Sequence, residues 1–175
     1  MELGIRKPRT TWRAVCLMGA CVVALAIGGG GLAQAGQCPA DKVITAAADS
    51  GPPSGAATAP KDVTDTVIGS IDLGQERSAG VDNRLFRLRR LVVQPGGVVP
   101  WHSHGNRPAL IYIVEGEITE YASTCAVPIV HRAGETAPET HATAHWWKNT
   151  GSRPVVLLSA DLFPTADQHM DEHTM

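Results

Sequence analysis

With 15 basic and 17 acidic side chains over 175 residues, the chain lacks the positive charge typical of proteins that bind nucleic acid or anionic membranes. Beyond residue 35 the balance is 11 basic to 16 acidic, a net charge of −5 with neutral histidines. The 140 residues of that part can bury one core but are too few for two domains.

The first 35 residues have the pattern of an export signal. Four basic residues precede an apolar stretch at 14–32, and Ala33-Gln34-Ala35 has the small-x-small form of a signal peptidase site. The alternative is an uncleaved membrane anchor, because the apolar run is near the roughly 20 residues that span a bilayer. The glycines at 28–31 and the adjoining cleavage box favour removal. We therefore predict a signal peptide at 1–35 and a periplasmic or extracellular protein, with no stable membrane insertion after cleavage.

A low-complexity arm follows at residues 36–60. It is rich in Ala, Gly, Pro and Ser and has few large apolar side chains, so we expect a flexible or surface-wrapping segment. Two cysteines, Cys38 in this arm and Cys125, remain once the signal is removed. In an oxidising compartment this pair favours a disulfide that ties the arm to the domain, with two free thiols as the alternative.

The folded domain is predicted at residues 61–164, where short β-rich runs alternate with turn residues. No stretch of ten or more residues keeps helical periodicity, and Pro95-Gly96-Gly97 predicts a turn. Antiparallel strands at this spacing indicate an all-β sandwich or barrel. The polar tail at 165–175 is expected to fray. The predicted strands are 63–73, 84–94, 98–104, 109–121, 127–131, 141–148 and 153–163.

A pair of histidines in one predicted strand is the first sign of a chemical site. His102 and His104 lie two residues apart, so their side chains point to the same face, about 6.6 Å apart along the strand. Both imidazoles could then reach one metal ion. A His-x-His pair on its own is more often a surface pair, so the pattern needs a third ligand.

Two blocks of the domain resemble the sequence motifs of the cupin superfamily. The stretch from Gly96 to Gly116 resembles cupin motif 1, G(X)5HXH(X)3,4E(X)6G, with both glycines and both histidines in register. The stretch from Gly134 to Asn149 resembles cupin motif 2, G(X)5PXG(X)2H(X)3N, with His145 in register. The resemblance implies an antiparallel cupin jelly-roll barrel, or double-stranded β-helix, and a homodimer formed by pairing of barrel edges.

The resemblance also implies a mononuclear metal site with three histidines. His102, His104 and His145 match the family's histidine ligands, whereas Ala109 stands where the family places its glutamate ligand. Three neutral imidazoles leave the ion's charge uncompensated and at least one position open, which favours water, hydroxide or an anionic substrate. The expected cofactor is a divalent ion, one of Fe, Mn, Ni, Cu or Zn.

Five neighbouring residues are candidates for supporting roles at this site. Glu139 and His141 lie just before His145 and are reserve ligands. Arg107 is a candidate for a bidentate contact to a substrate carboxylate, with a surface arginine as the alternative. Trp147 and Asn149 alternate towards the site and are candidates for the pocket wall, although a core or interface role is commoner for a tryptophan.

Two other titratable residues are given no role at the site by their spacing. His131 follows a strand and is expected to be structural. Glu120 comes soon after the Gly116 turn, where a solvated carboxylate is the default, although of the glutamates there it is the best candidate for another role.

Three functions for a small-molecule ligand remain open. The first is a metal-dependent dioxygenase or related oxidoreductase, as in cupins with three-histidine sites. The second is a zinc-type hydrolase or isomerase, and the third is a barrel that binds a metal or small ligand without chemistry. The sequence has no Gly-x-Ser-x-Gly elbow, phosphate-binding loop or nucleotide fingerprint, which disfavours serine-nucleophile and nucleotide chemistry.

Overall fold

The structure, a computed structural model, describes residues 36–45 and 51–165 of the chain. These residues belong to one compact unit, Leu32–Met175. The predicted signal peptide at 1–35 and the tail beyond Thr165 lie outside the described residues. Within the described ranges there is no helix with the length and hydropathy of a membrane span.

Eight antiparallel strands form one sheet that rolls into a nearly closed barrel, which confirms the predicted all-β jelly roll. The order across the sheet is β5-β4-β7-β2-β8-β3-β6, and β1 pairs with β2. Single 3-10 turns at Ala40–Lys42 and Arg77–Ala79 are the helical elements of the described part. The strands are β1 (Lys61–Asp72), β2 (Arg84–Ser103), β3 (Ala109–Glu115), β4 (Glu117–Ala122), β5 (Ile129–Arg132), β6 (Thr136–Glu139), β7 (Ala144–Lys148) and β8 (Val155–Pro164).

Strand β2 is longer than the sequence predicts, because the expected turn at Pro95-Gly96-Gly97 does not reverse the chain. The strand continues through these residues, pairing first with β1 and β8 and then with β7. Gly97 lies so close to the start of β1 that an added Cβ would come within 2.7 Å of the Asp62 carbonyl oxygen. The glycines therefore let one strand take part in both halves of the barrel.

Two other strand boundaries differ from the prediction. Thr136–Glu139 forms strand β6, paired with β3, in a stretch between two predicted strands where the sequence analysis predicts none. The strand predicted at 109–121 is divided into β3 and β4 by Gly116, whose φ of 85° only glycine adopts without strain. A Cβ at Gly116 would also meet the Val155 side chain at 3.0 Å, so the turn packs directly on β8.

The described parts of the N-terminal arm lie against the barrel and are hydrogen bonded to it. Val43 forms an isolated β-bridge with Cys125, and the Ile44 amide donates to the Thr124 carbonyl at 3.0 Å. A disulfide joins Cys38 to Cys125, whose Cα atoms are 5.7 Å apart. The Trp101 amide donates to the Ala57 carbonyl at 2.7 Å. The arm thus contacts the barrel at the disulfide and at strand β2.

Alternation along the strands divides the barrel interior into an apolar part and a charged part. The apolar part is a cluster centred on Val93, Ile113, Ile118, Trp147 and Val155, none of them more than 3% exposed. Burying these side chains supplies the main driving force for folding. The charged part lies on β1, β2 and β8, together with Arg107 in the loop before β3.

A buried ion network holds the charged part together. Arg87 donates two parallel hydrogen bonds to Asp161, at 3.0 Å and 2.9 Å, and its guanidinium lies 3.6 Å from the centre of the Phe163 ring. Arg89 bonds Asp65 and the Ser159 hydroxyl. Arg89 Nε and Arg107 Nη1 lie 3.5 Å and 3.7 Å from Asp161 Oδ2. Asp161, which is 1% exposed, is therefore the common anionic partner of three arginines.

The outer face of β2 and β3 is apolar and exposed. Phe86 and Leu88 on β2 and Leu110, Tyr112 and Val114 on β3 are each 38–49% exposed. The homodimer expected from the family resemblance stays a prediction.

Breaking the disulfide should destabilise the domain. Cys38 and Cys125 are separated by 87 residues, and removing a native disulfide from a small domain typically costs about 2–5 kcal/mol. We expect the Cys38→Ala/Cys125→Ala protein to unfold at a lower urea concentration, with its free energy of unfolding reduced by that amount. Peptide mapping under non-reducing conditions should recover the two cysteines in one linked peptide. Recovery of both as free thiols in protein made in an oxidising compartment would contradict the pairing.

Removing the Asp161 carboxylate should cost more than removing the pair that it forms with Arg87. Asp161→Ala leaves three arginines without their shared counter-ion in a buried site, for which we expect about 3–5 kcal/mol of lost stability. Replacing both partners, as in Arg87→Met/Asp161→Leu, should be less damaging because it removes one of the uncompensated charges. Urea unfolding of both variants measures the difference, and equal losses would show that the network is not coupled.

Candidate metal centre

The pairing of β2 with β7 places the two cupin-like motifs side by side. His102 lies directly opposite His145 in this ladder. The register shifts between Val99 and His102, where β2 carries one residue more than β7. Such a bulge reverses the alternation of the strand, so Val99 and His102 both face inwards. Without the bulge Trp101 would take the inward position.

The bulge is built from Pro100 and Trp101 and serves the site in a second way. The Pro100 carbonyl accepts a hydrogen bond from His102 Nδ1 at 2.8 Å. Proline suits a bulge because it has no amide hydrogen to leave unpaired. The Trp101 amide, which the bulge takes out of the ladder, is bonded by Ala57 of the arm. The Pro100 carbonyl and the Trp101 amide at the bulge therefore both have hydrogen-bond partners.

Three ring nitrogens meet at one point inside the barrel. The Nε2 atoms of His102 and His104 are 3.0 Å apart, and His145 Nε2 lies 3.1 Å from each of them. His104 and His145 are each 1% exposed, whereas His102 is only partly buried. A small ligand would therefore approach this point from the side of His102.

The other nitrogen of each ring has a hydrogen-bond acceptor of its own. His102 Nδ1 donates to Pro100 O, His104 Nδ1 donates to Arg107 O at 2.9 Å, and His145 Nδ1 donates to Glu120 Oε1 at 2.6 Å. For His102 and His104 these acceptors place the proton on Nδ1. His145 Nδ1 also lies 3.0 Å from the indole N–H donor of Trp147, but its shorter bond to Glu120 favours the same tautomer. The three Nε2 lone pairs then turn towards one another.

Three lone pairs about 3 Å apart repel unless a cation lies between them. A proton can bridge two ring nitrogens but not three, whereas a metal ion accepts all three at once. The arrangement therefore fits the divalent ion that the sequence predicts, held by His102, His104 and His145.

Electrostatics keep two of the three rings neutral. Burial lowers the pKa of His102 well below 6.5, and the nearby His145 and His104 rings lower it further. Burial likewise lowers the pKa of His104 to about 3. Burial also acts to lower the pKa of His145, but the carboxylates of Glu139 and Glu120 outweigh it and raise the value. His145 thus differs from the other two in having acidic neighbours.

Glu120 lies beside the site, although its spacing in the sequence gives no indication of this. It is 4% exposed and lies on β4, where its two oxygens accept hydrogen bonds from His145 Nδ1 and, at 2.8 Å, from His131 Nε2. Although burial raises it, these hydrogen bonds lower the pKa of Glu120 to about 2. The solvated position that is the default for Glu120 is therefore wrong, because its side chain points into the barrel between two histidines. Alternation with buried Ile118 and Ala122 was the available signal.

The two reserve ligands do not reach the Nε2 atoms. Glu139 is 2% exposed and its Oε2 lies 3.4 Å from His145 Nδ1, on the far side of the ring. Its Oε1 is buried and has no hydrogen-bond partner among the described residues. Burial, reinforced by Glu120 and opposed by His145, raises the pKa of Glu139 to about 7. His141 is exposed in the turn before β7, because that strand begins only at Ala144.

The predicted pocket residues have different surroundings. Trp147 is 3% exposed, and its ring stacks on His131 with 4.7 Å between centroids, so it is a core residue. Asn149 is fully buried; its Nδ2 donates to Val93 O and Arg153 O, and its Oδ1 accepts from the Gly151 amide. This amide holds the β7–β8 loop and has no remaining N–H to donate. Its predicted place in the pocket wall stays a prediction.

Arg107 lies between the three histidines and the charged part of the barrel. Its backbone carbonyl holds His104, and its positive charge lowers the pKa of His102. Its guanidinium contacts Asp161, which Arg87 already binds with two hydrogen bonds. Arg107 therefore connects the histidine centre to the charged part of the barrel.

The part of the chain that holds the candidate metal centre resembles known proteins. Residues 89–161 match the family described as Cupin domain. Germin-like protein subfamily 2 member 2 of Arabidopsis thaliana is 29% identical over 103 residues, which cover 56% of this chain and 47% of that protein. Nectarin-1 of Nicotiana langsdorffii x Nicotiana sanderae is 28% identical over 88 residues, which cover 49% and 38%. The matched region thus spans less than half the length of these curated relatives.

One solved structure similar to this chain is a predicted oxalate decarboxylase from Thermotoga maritima. It is 16% identical, with a TM-score of 0.47, and the match covers 69% of this chain and 97% of that one. The Cupin domain match takes in β2 from Arg89 onwards, all three histidines and β8 as far as Asp161. Together with the barrel topology and the germin-like relatives, it shows that the chain belongs to the cupin superfamily.

Proposed function

We propose that this chain is an exported metal-dependent oxidoreductase of the dioxygenase type, acting on a small anionic molecule at His102, His104 and His145. One observation carries the proposal: the three Nε2 atoms form a triangle with edges of 3.0, 3.1 and 3.1 Å. At a metal–nitrogen distance of about 2.1 Å, perpendicular ligands lie about 3.0 Å apart and tetrahedral ligands about 3.4 Å apart. The triangle therefore favours three ligands on one face of an octahedral ion.

A facial set of three ligands leaves adjacent positions for a substrate and a second reactant. A bound Fe, Mn, Ni or Cu ion would supply a redox-active Lewis acid at this point. Ala109 contributes to the opening, because its methyl group takes the place of the family's carboxylate ligand. Glu120 and the backbone carbonyls of Pro100 and Arg107 hold the rings in the required orientation.

An anionic substrate follows from the charges of the chain. Three neutral imidazoles do not offset the charge of a divalent ion, so a negatively charged ligand is favoured there. Arg107 adds a guanidinium near the centre, of the kind that binds carboxylates with two hydrogen bonds. Asp161 holds that guanidinium close to the histidines.

Export is supported by the N-terminal pattern and by the disulfide. Structural disulfides persist in oxidising compartments and are rare in the cytosol. We place the protein in the periplasm or outside the cell.

Replacing a proposed ligand should abolish metal binding. Losing a hydrogen-bond partner of a metal ligand costs up to about 100-fold in metal affinity. Losing the ligand itself should cost more, so we expect His145→Ala to weaken metal binding by more than about 100-fold. His141→Ala is the matched control, since it removes an exposed histidine four residues away and should keep one equivalent. Elemental analysis of proteins purified without chelators or affinity metals measures both. One equivalent retained by His145→Ala would refute this ligand set.

The metal recovered should be redox-active. We expect near-stoichiometric Fe, Mn, Ni or Cu in the wild-type protein, and for Fe(II) an EPR signal on addition of nitric oxide. The loaded protein should consume O2 with some members of a panel of small carboxylic acids, thiols and phenolics. Zinc as the sole metal would favour a hydrolase or isomerase instead. A protein that takes up no metal would be a non-catalytic barrel.

A further inference from the structure

The three histidines differ in what holds their Nδ1 atoms. Two rings donate to backbone carbonyls, those of Pro100 and Arg107, at 2.8 Å and 2.9 Å. His145 alone donates to a carboxylate, Glu120, at the shorter distance of 2.6 Å. Bonds to an ionised acceptor are shorter and about twice as strong as neutral ones.

The fold places this carboxylate by strand register. Glu120 on β4 lies opposite Trp147 of β7 and Ile129 of β5. His145 and His131 are therefore its diagonal neighbours on the inner face, at a distance that side chains can bridge. The three side chains form a continuous line, His131–Glu120–His145, across three adjacent strands.

The line is shielded from solvent along its whole length. His131 and His145 are each 1% exposed and Glu120 is 4% exposed. The Trp147 ring stacks on His131 and meets the His145 ring edge-on, with 5.6 Å between their centroids. A buried carboxylate is costly unless its oxygens are bonded, and here each oxygen accepts one ring N–H. His131 thus fixes the oxygen that His145 does not use.

We propose that Glu120, backed by His131, is a positioning residue that sets the tautomer and orientation of His145 and thereby strengthens metal binding at the three-histidine centre. By holding the proton on Nδ1 it leaves the Nε2 lone pair pointing at His102 and His104. Its negative charge makes the ring a stronger electron donor. The inference rests on the proposed function, since it concerns the same centre.

Glu139 is the built-in control for this assignment. Its Oε2 is 3.4 Å from the same Nδ1, against 2.6 Å for Glu120, and its other oxygen has no partner within the described ranges. It is as deeply buried as Glu120, so a substitution disturbs packing to a similar extent. It lacks the short bond and the second histidine.

The experiment compares the affinity of the full chain for Zn(II) and Co(II) by competition with a chromophoric chelator. We expect Glu120→Gln to weaken binding about 10-fold and Glu120→Ala up to about 100-fold. His131→Phe should weaken it by less than Glu120→Ala, and Glu139→Gln, which removes a nearby charge but no short hydrogen bond, should weaken it by less than Glu120→Gln. The ligand-field spectrum of bound Co(II) should change in the Glu120 variants and remain unchanged in Glu139→Gln.

A purely structural role for Glu120 would give a different result. The thermal midpoint of the metal-free protein would fall, while the affinity and the Co(II) spectrum of the folded fraction would match wild type. That outcome for both Glu120 variants, or a larger loss in Glu139→Gln than in Glu120→Gln, overturns the inference and leaves the metal site intact. If Glu120→Ala does not fold, the isosteric Glu120→Gln decides alone. A wild-type chain that binds neither ion overturns both this inference and the proposed function.

Discussion

The ladder between β2 and β7 is the constraint on which the whole site depends. It sets His102 opposite His145, and the extra residue at Pro100-Trp101 decides which side chains of β2 face inwards. A shift of one residue in such a ladder turns every side chain to the other face of the sheet. Here it would bring Trp101 and Ser103 into the barrel and take both motif 1 histidines out. The arm residue Ala57, which bonds the Trp101 amide, helps to hold this register.

The barrel interior keeps two kinds of buried charge next to each other. On one side, His131 and His145 each donate a hydrogen bond to Glu120. On the other, three arginines converge on Asp161. Arg107 belongs to both, since its carbonyl holds His104 and its guanidinium contacts Asp161. A ligand at the histidines therefore lies close to a fixed positive charge.

Motif spacing predicted the barrel and the convergence of His102, His104 and His145, because the histidines of such motifs recur at fixed positions along the strands. It could not predict Glu120 or His131, whose contact depends on how β4 registers with β5 and β7. The sequence pattern also missed β6, a strand of four residues that includes a proline, and predicted a turn where β2 continues. The loop hydrogen bonds of Asn149 also lay beyond what the motif spacing could predict.

The cross-strand position of Ala109 restricts which sequences can occupy this barrel. Ala109 lies between Asp161 on β8 and Glu139 on β6, in one row across the inner face. Neighbours in such a row have Cβ atoms about 4.5–5.5 Å apart. A glutamate at position 109 would add a third carboxylate between two buried acidic residues, and like charges opposite each other destabilise a sheet. A return to the four-ligand pattern of the family would therefore place a new carboxylate beside Glu139 and Asp161, and a second change at one of these positions would relieve the repulsion.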